Sequence, residues 1–435
     1  MTADVHRTVE AVWRIEGPRI IGALARVLRD VGHAEELAQD ALVAALEQWP
    51  VDGVPQNPAA WLTATAKHRA IDAIRRSALH ERKQPELTHA IESQLLDANP
   101  SVESLVEAAL DDPIGDDVLR LMFIACHPVL SRDARVALTL RLLGGLTTGE
   151  IARAFLLPEP TVAQRIVRAK RTLSEARVAF ELPAPGELGE RLSSVLEAIY
   201  LIFNEGYSAT EGSDWVRPPL CEEALRLGRI LAQLAPGEAE VHGLVALMEL
   251  QASRLRARTG PDGEPILLPD QQRSRWDRLL IARGIDALAR SESLAHGAGL
   301  GPYALQAAIA ACHATAPSAE QTDWHRIAAL YDALAQRAPS PVVELNRAVA
   351  VSMAFGPGAG LEIIEPLLAE PKLRDYHLLP SVRGDLLQRL GRFAEASVEF
   401  ERAAAMARNE RERDLLRQRA QQCRPPPRQL NPPGT

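Results

Sequence analysis

Aromatic residues are scarce in this 435-residue chain: seven Phe, six Trp and five Tyr, 4% in all. Strands draw on aromatic and β-branched runs, so a β-rich fold is disfavoured from the start. Only four cysteines occur, Cys126, Cys221, Cys312 and Cys423, widely spaced and without a C-x-x-C pair. A disulfide framework and a zinc site are thereby excluded, and reduced thiols are expected. No run approaches the roughly 18 uncharged apolar residues of a membrane span. The N-terminal MTADVHRTVEAVWR is charged and lacks the apolar core of a secretory signal, so a cytoplasmic protein is expected. There is no G-x-G-x-x-G, P-loop, H-E-x-x-H or nucleophile elbow, and the eleven histidines are scattered. No catalytic residue, metal site or cofactor is expected.

What is present is alanine, leucine and arginine, which favour helix. Hydrophobic residues make up 46% and charged residues 24%, an ordinary globular balance, and an all-α fold is predicted. The length fits about two to four domains. The net charge of −8 excludes a uniformly basic nucleic-acid coat but allows local basic patches.

Five regions follow from the punctuation. Residues 1–80 read as helices, with Val5, Val9, Val12 and Trp13, then Ile20, Leu24, Val27 and Leu28, at helical spacing. AEELAQDALVAALEQW (34–49) places Ala38, Leu42, Ala45 and Trp49 on one stripe and opens its other face with Glu35, Glu36, Gln39 and Asp40. Pro50, Gly53, Pro55 and Pro58 predict a loop, followed by a helix from Ala60 to Arg76. Residues 81–115 are an acidic linker containing Glu86, Glu92, Asp97, Glu103 and Glu107. Residues 116–182 form a second helical unit, PAPGE at 183–187 a boundary, and 187–424 helix after helix. The tail 425–435 is Pro-rich and predicted to be disordered.

The second unit ends in LTTGEIARAFLLPEPTVAQRIVRAKRTL (146–173). Thr147 and Glu150 fit a capping box, the first helix should end at Phe155, Leu156-Leu157-Pro158 should turn, and Pro160 suits the first turn of the next helix. This is a helix–turn–helix pattern. Thr161, Gln164, Arg165 and Arg168 are placed to face a major groove, and Lys170 and Arg171 to reach phosphates. In the helix at 60–76, Trp61, Lys67, His68, Arg69, Arg75 and Arg76 suit strand-separated DNA, although a tryptophan so placed is more often a core residue and the arginine pair an ordinary solvated face.

Residues 34–49 followed by NPAAWLTATAKHRAIDAIRR resemble the σ2 domain of extracytoplasmic-function (ECF) sigma factors, and EIARAFLLPEPTVAQRIVRAKRTL resembles their σ4 domain. YLIFNEGYSA (200–209), RSRWDRLLI (273–281) and LYDALAQRAPSPVVELNRAVAV (330–351) resemble the ECF subgroup with a long C-terminal tetratricopeptide (TPR)-like extension. The resemblance implies a non-enzymatic initiation factor that binds core RNA polymerase through the β′ clamp helices and β flap. Glu35, Glu36, Gln39 and Asp40 would dock on the clamp. Asn57, Trp61, Lys67, His68, Arg69, Arg75 and Arg76 would read and melt the −10 element. Asp72 would orient an arginine, and the helix 159–173 would read the −35 element. His68 replaces a frequent Asn, and Leu156 and Pro158 replace a Gly and Ser turn, so the promoter code does not transfer.

In the extension, Gly384, Ala396, Phe400 and Ala403 stand at the packing positions of a TPR hairpin, and the segment from Pro341 is a looser copy. Such stacked repeats bind a protein or peptide, and this half is the candidate regulator. Glu205 in NEGY is expected to be structural or solvated, and Trp215, Trp276 and Trp324 to pack between helices. The rivals are a one-component helix–turn–helix regulator with a TPR-like sensor, and a TPR scaffold with vestigial DNA-binding domains.

Overall fold

The computed structural model describes residues 2–81, 115–155, 157–184, 186–210, 212–297 and 299–424. Most of the acidic linker, Leu156 in the turn and the tail 425–435 lie outside the described residues. Those described form eighteen α-helices, four short 3₁₀ turns and two isolated bridges, with no β-strand among them. The chain divides into two compact units between Leu201 and Ile202.

The first unit opens with α1 (Thr2–Leu28), α2 (Val31–Asp52) and α3 (Pro58–Glu81). Val9, Trp13, Ile20, Leu24, Ala38, Ala45 and Trp49 are buried. Their spacing turns one apolar stripe of each helix inward. Helix α2 runs through Pro50 to Asp52, where a loop was expected. Proline φ is helical, so Pro50 in the last turn forfeits only one hydrogen bond. The stop is supplied by Gly53, at φ +89°, whose N–H closes on the Trp49 carbonyl at 3.0 Å. Helix α3 starts two residues before the expected Ala60, because the Asn57 side chain accepts the Ala60 N–H at 3.1 Å and caps it.

Next come α4 (Gly115–Ala125), α5 (Arg132–Leu142), α6 (Thr148–Phe155) and α7 (Glu159–Glu175). The capping box forms as expected: Glu150 accepts the Thr147 N–H at 2.7 Å, and Thr147 Oγ1 accepts the Glu150 N–H at 3.2 Å. Pro158 precedes α7 with no side-chain cap, and its carbonyl takes the Thr161 N–H at 2.9 Å. The first half of α8 (Leu188–Tyr207) packs on α4 and α5. There Arg135 reaches Glu197 at 3.1 Å, Arg191 donates to the Phe123 carbonyl, and Ser194 donates to the Cys126 carbonyl.

The second unit continues from α8 with α9 (Pro218–Leu234), α10 (Ala239–Ala252), α11 (Arg278–Leu294), α12 (Pro302–Thr315), α13 (Trp324–Arg337), α14 (Pro341–Phe355), α15 (Pro357–Leu367), α16 (Leu378–Arg389), α17 (Phe393–Met406) and α18 (Glu410–Gln422). Successive helices pair, α10 with α11, α14 with α15 and α16 with α17. Gly384 permits the last pairing, because a Cβ there would stand 3.0 Å from the Phe400 ring. Ala396, Phe400 and Ala403 share one buried core with Leu386 and Leu416. Glu205 is buried and bonded to Arg217 and Thr210, a structural role at the end of α8. Trp324 on α13 meets His313 on α12 edge-on, as expected of inter-helix packing. Trp215 and Trp276 sit instead in connecting segments, with arginines stacked on them.

Candidate nucleic-acid and polymerase interface

Asp30 caps α2 by accepting the His33 N–H at 2.8 Å, and burial of Ala34, Leu37, Ala38 and Ala41 sets which face of the helix turns inward. Glu36 and Asp40 then face solvent, and Gln39 is half-buried. Glu35 turns the other way and is 2% exposed. Its carboxylate accepts from Arg141 Nε on α5 at 2.7 Å, pairs with Lys170 on α7, and takes the Gln39 amide. A carboxylate so buried is tolerable only with such compensation. Glu35 therefore does not join the exposed acidic face expected of it.

Two further contacts continue this seam. Asp117, 7% exposed on α4, meets Arg120 at 2.6 Å and Arg26 of α1 at 3.5 Å. Trp13 of α1 lies against Gly145, where an added Cβ would be 3.3 Å from its ring.

Of the candidates at the cap of α3 and along it, Asn57, His68, Arg75 and Arg76 are exposed, while Trp61, Lys67 and Arg69 are half-buried. Trp61 meets Trp49 edge-on at 5.4 Å, so much of its ring serves the core. Arg69 pairs with Asp40 at 3.3 Å, joining the helix expected at DNA to the helix expected at polymerase. Arg76 donates to the Asp72 carbonyl at 3.2 Å.

On α7, Val162, Ile166, Ala169 and Leu173 are buried, which leaves Thr161, Gln164 and Arg168 exposed on the outer face. Arg165 is drawn to Asp133 at 3.1 Å, Lys170 to Glu35, and Arg171 to Glu175 at 2.6 Å. Sequence reasoning did not single out Arg141 or Val167. The signal for Arg141 was its place as the one cation in the apolar run LTLRLL, where a buried partner is required. Val167, 63% exposed beside Gln164 and Arg168, offers a methyl surface of the kind that meets thymine.

All four cysteines are free and buried; burial pushes the Cys126 thiol up to about 11 and the Cys221 thiol up to about 12. Among the described residues there is no group of three or more His, Cys, Asp or Glu able to hold a metal, and no helix long and apolar enough to cross a membrane.

Residues 13–79 match the family Sigma-70 region 2, residues 120–173 match Sigma-70, region 4, and residues 191–292 match a family of unknown function (DUF6596). An uncharacterized protein of Rhizobium meliloti (strain 1021) is 44% identical over 401 residues, 92% of each chain. The ECF RNA polymerase sigma factor SigK of Mycobacterium ulcerans is 31% identical over 159 residues, 36% of this chain and 78% of that one. The probable ECF RNA polymerase sigma factor SigI of Mycobacterium tuberculosis is 29% identical over 174 residues, 40% of this chain and 57% of that one. No solved structure gives a significant match. The chain belongs to the ECF RNA polymerase sigma factors, non-enzymatic proteins that direct transcription, and carries a helical extension behind its σ2 and σ4 regions.

Proposed function

We propose that this chain docks core RNA polymerase through the exposed Glu36 and Asp40 of α2, engages the −10 element with α3, and reads the −35 element with Thr161, Gln164 and Arg168 of α7. The bonding of Glu35 to Lys170 carries the further reading that the free protein is closed. Lys170 cannot reach a phosphate while it pairs with a buried carboxylate of σ2, so polymerase binding has to part α2 from α7. The same observation speaks against a one-component regulator. Three cations of the recognition helix are bonded to carboxylates of their own chain, which weakens any grip on duplex DNA without polymerase.

The extension is proposed to be TPR-like and to control initiation. The paired helices, and the Gly384–Phe400 approach between α16 and α17, support that reading. It is taken as a required scaffold rather than an inhibitor.

Run-off transcription with purified core polymerase tests the function. Transcripts from a cognate promoter only when the chain is added are expected. Tight promoter binding by the free chain, with no transcript, would favour the regulator.

A further inference from the structure

Two motifs in the extension, NEGY and RSRWDR, are not used by the reading above, and the fold brings them together around the end of α10. The Asp277 N–H donates to the Ser253 carbonyl at 2.8 Å, and the Asp277 side chain caps α11. This seats Trp276 against Arg254. Arg254 lies 5.9 Å from the ring centres of both Tyr207 and Trp276. Arg258 sits 3.8 Å above Tyr207 and 5.5 Å from Trp215. Arg273 sits 4.5 Å above Trp276 and donates to the carbonyls of His313 and Ala316. The result is a ladder of three guanidiniums alternating with aromatic rings.

The charge of this ladder is not balanced. Among the described residues, no carboxylate lies within ion-pair distance of Arg254, Arg258 or Arg273. The nearby acids are committed elsewhere: Glu205 to Arg217, Glu249 to Arg229, and Asp277 to the α11 cap. Glu320 is fully exposed and acts on Arg273 only from a distance. Arg254 is 9% exposed; its backbone bonds to Gln251 and Ala257, but its guanidinium makes no hydrogen bond to a described residue. Three buried donors, Arg258 Nε, Trp215 Nε1 and Trp276 Nε1, meet no acceptor among the described residues. Burial lowers the affinity of Arg258 and Arg273 for their protons, and burial, reinforced by Arg254 and Arg273, holds His313 down to about 4. Ring faces offset desolvation of a guanidinium only weakly. Surplus donors, surplus positive charge and flat apolar walls together fit an anion with oxygen acceptors, held by arginine forks.

We infer that the Arg254–Arg258–Arg273 ladder binds a small phosphoryl-bearing ligand. Three cations favour a dianion over a single carboxylate, and the rings favour an ester with a planar group over free phosphate.

The full-length protein should be titrated calorimetrically with inorganic phosphate, phenyl phosphate and benzoate. Phosphate and phenyl phosphate are expected to bind with dissociation constants below about 1 mM, phenyl phosphate the tighter, and to raise the unfolding temperature. Arg254→Gln is expected to weaken both by at least about tenfold. Because the Arg254 guanidinium has no hydrogen bond to lose and Gln keeps the backbone bonds, that variant should unfold near the wild-type temperature. Should it fail to fold, Arg254→Lys retains the charge without the fork and is expected to bind more weakly than wild type. No heat from either phosphoryl compound, binding of benzoate alone, or equal affinity in wild type and the folded Arg254 variant would overturn the assignment.

Discussion

The Glu35 carboxylate and the Arg141 guanidinium meet at 2.7 Å, 106 positions apart in the chain, with Glu35 almost wholly out of water. Lys170 joins from the recognition helix. This triad fastens the first acidic residue of α2 to the σ4 region. Replacing Glu35 by Gln strands two mostly buried cations, and a loss of about 1–3 kcal/mol in unfolding free energy is expected. The same change frees Lys170. Fluorescence anisotropy with a −35 duplex should therefore show tighter binding by free Glu35→Gln protein than by wild type. Unchanged anisotropy would remove the closed free form.

Glu36 and Asp40 carry no such internal duty beyond the half-exposed Asp40–Arg69 pair, which contributes little to stability. The double change Glu36→Lys and Asp40→Lys should leave the thermal midpoint nearly unchanged. It should weaken co-elution with core polymerase by about tenfold or more, as charge reversal at a complementary interface does. Undiminished co-elution would move the docking surface elsewhere.

For the outer face of α7, Gln164→Ala and Arg168→Ala in holoenzyme should each cost about 1–3 kcal/mol at particular −35 bases, if these side chains pair with base edges. Arg171→Ala should weaken all promoters alike and reduce the slope of log affinity on log salt by about one. Uniform loss for Gln164→Ala would relegate it from reading bases to positioning the helix.

Local chemistry was legible in the sequence. Thr147 and Glu150 lie three residues apart and bond as that spacing dictates, and Gly384, Ala396, Phe400 and Ala403 meet because consecutive helices pair. The division of labour between Glu35 and Glu36 was not. The two are adjacent and chemically alike, and only Arg141 and Lys170, more than 100 residues away, decide which one is buried. Pro50 misled for a related reason: a proline signals a break, but in a last turn with Gly53 to follow it costs the helix little. The arginine ladder was hidden because its cations and rings come from four separate segments: RLRAR at 254–258 and RSRWDR at 273–278 each read as basic, but nothing in either shows that they meet each other, Tyr207 and Trp215.

Cys126 and Cys221 should resist alkylation at pH 8, because burial holds both thiols well above the ordinary value of 9.0. Their raised values also set a sign. The unfolded chain loses these protons near pH 9 while the folded chain keeps them toward 11 and 12. Their contribution to stability is present below about pH 9 and declines above it. Alkylation at pH 8 should follow the fraction unfolded in urea; rapid labelling of native protein would contradict the burial.

His313 gives the opposite limb of the pH profile. Burial, reinforced by Arg254 and Arg273, lowers it from 6.5 to about 4, so it is neutral in the folded protein under ordinary conditions. The unfolded chain takes up this proton as pH falls through 6.5 and the folded chain does not. Stability therefore drops across the interval from 6.5 to 4, and the term levels off below it, with a maximal cost of about 3 kcal/mol. Carboxylates titrate in the lower part of this range, so the informative quantity is the difference from His313→Gln, which removes the titration and keeps a polar side chain. Chemical unfolding at half-unit steps should give a wild-type curve that steepens relative to the variant below pH 6.5. Parallel curves would mean that His313 takes its proton in the folded state and that Arg254 and Arg273 do not act on it as their geometry implies.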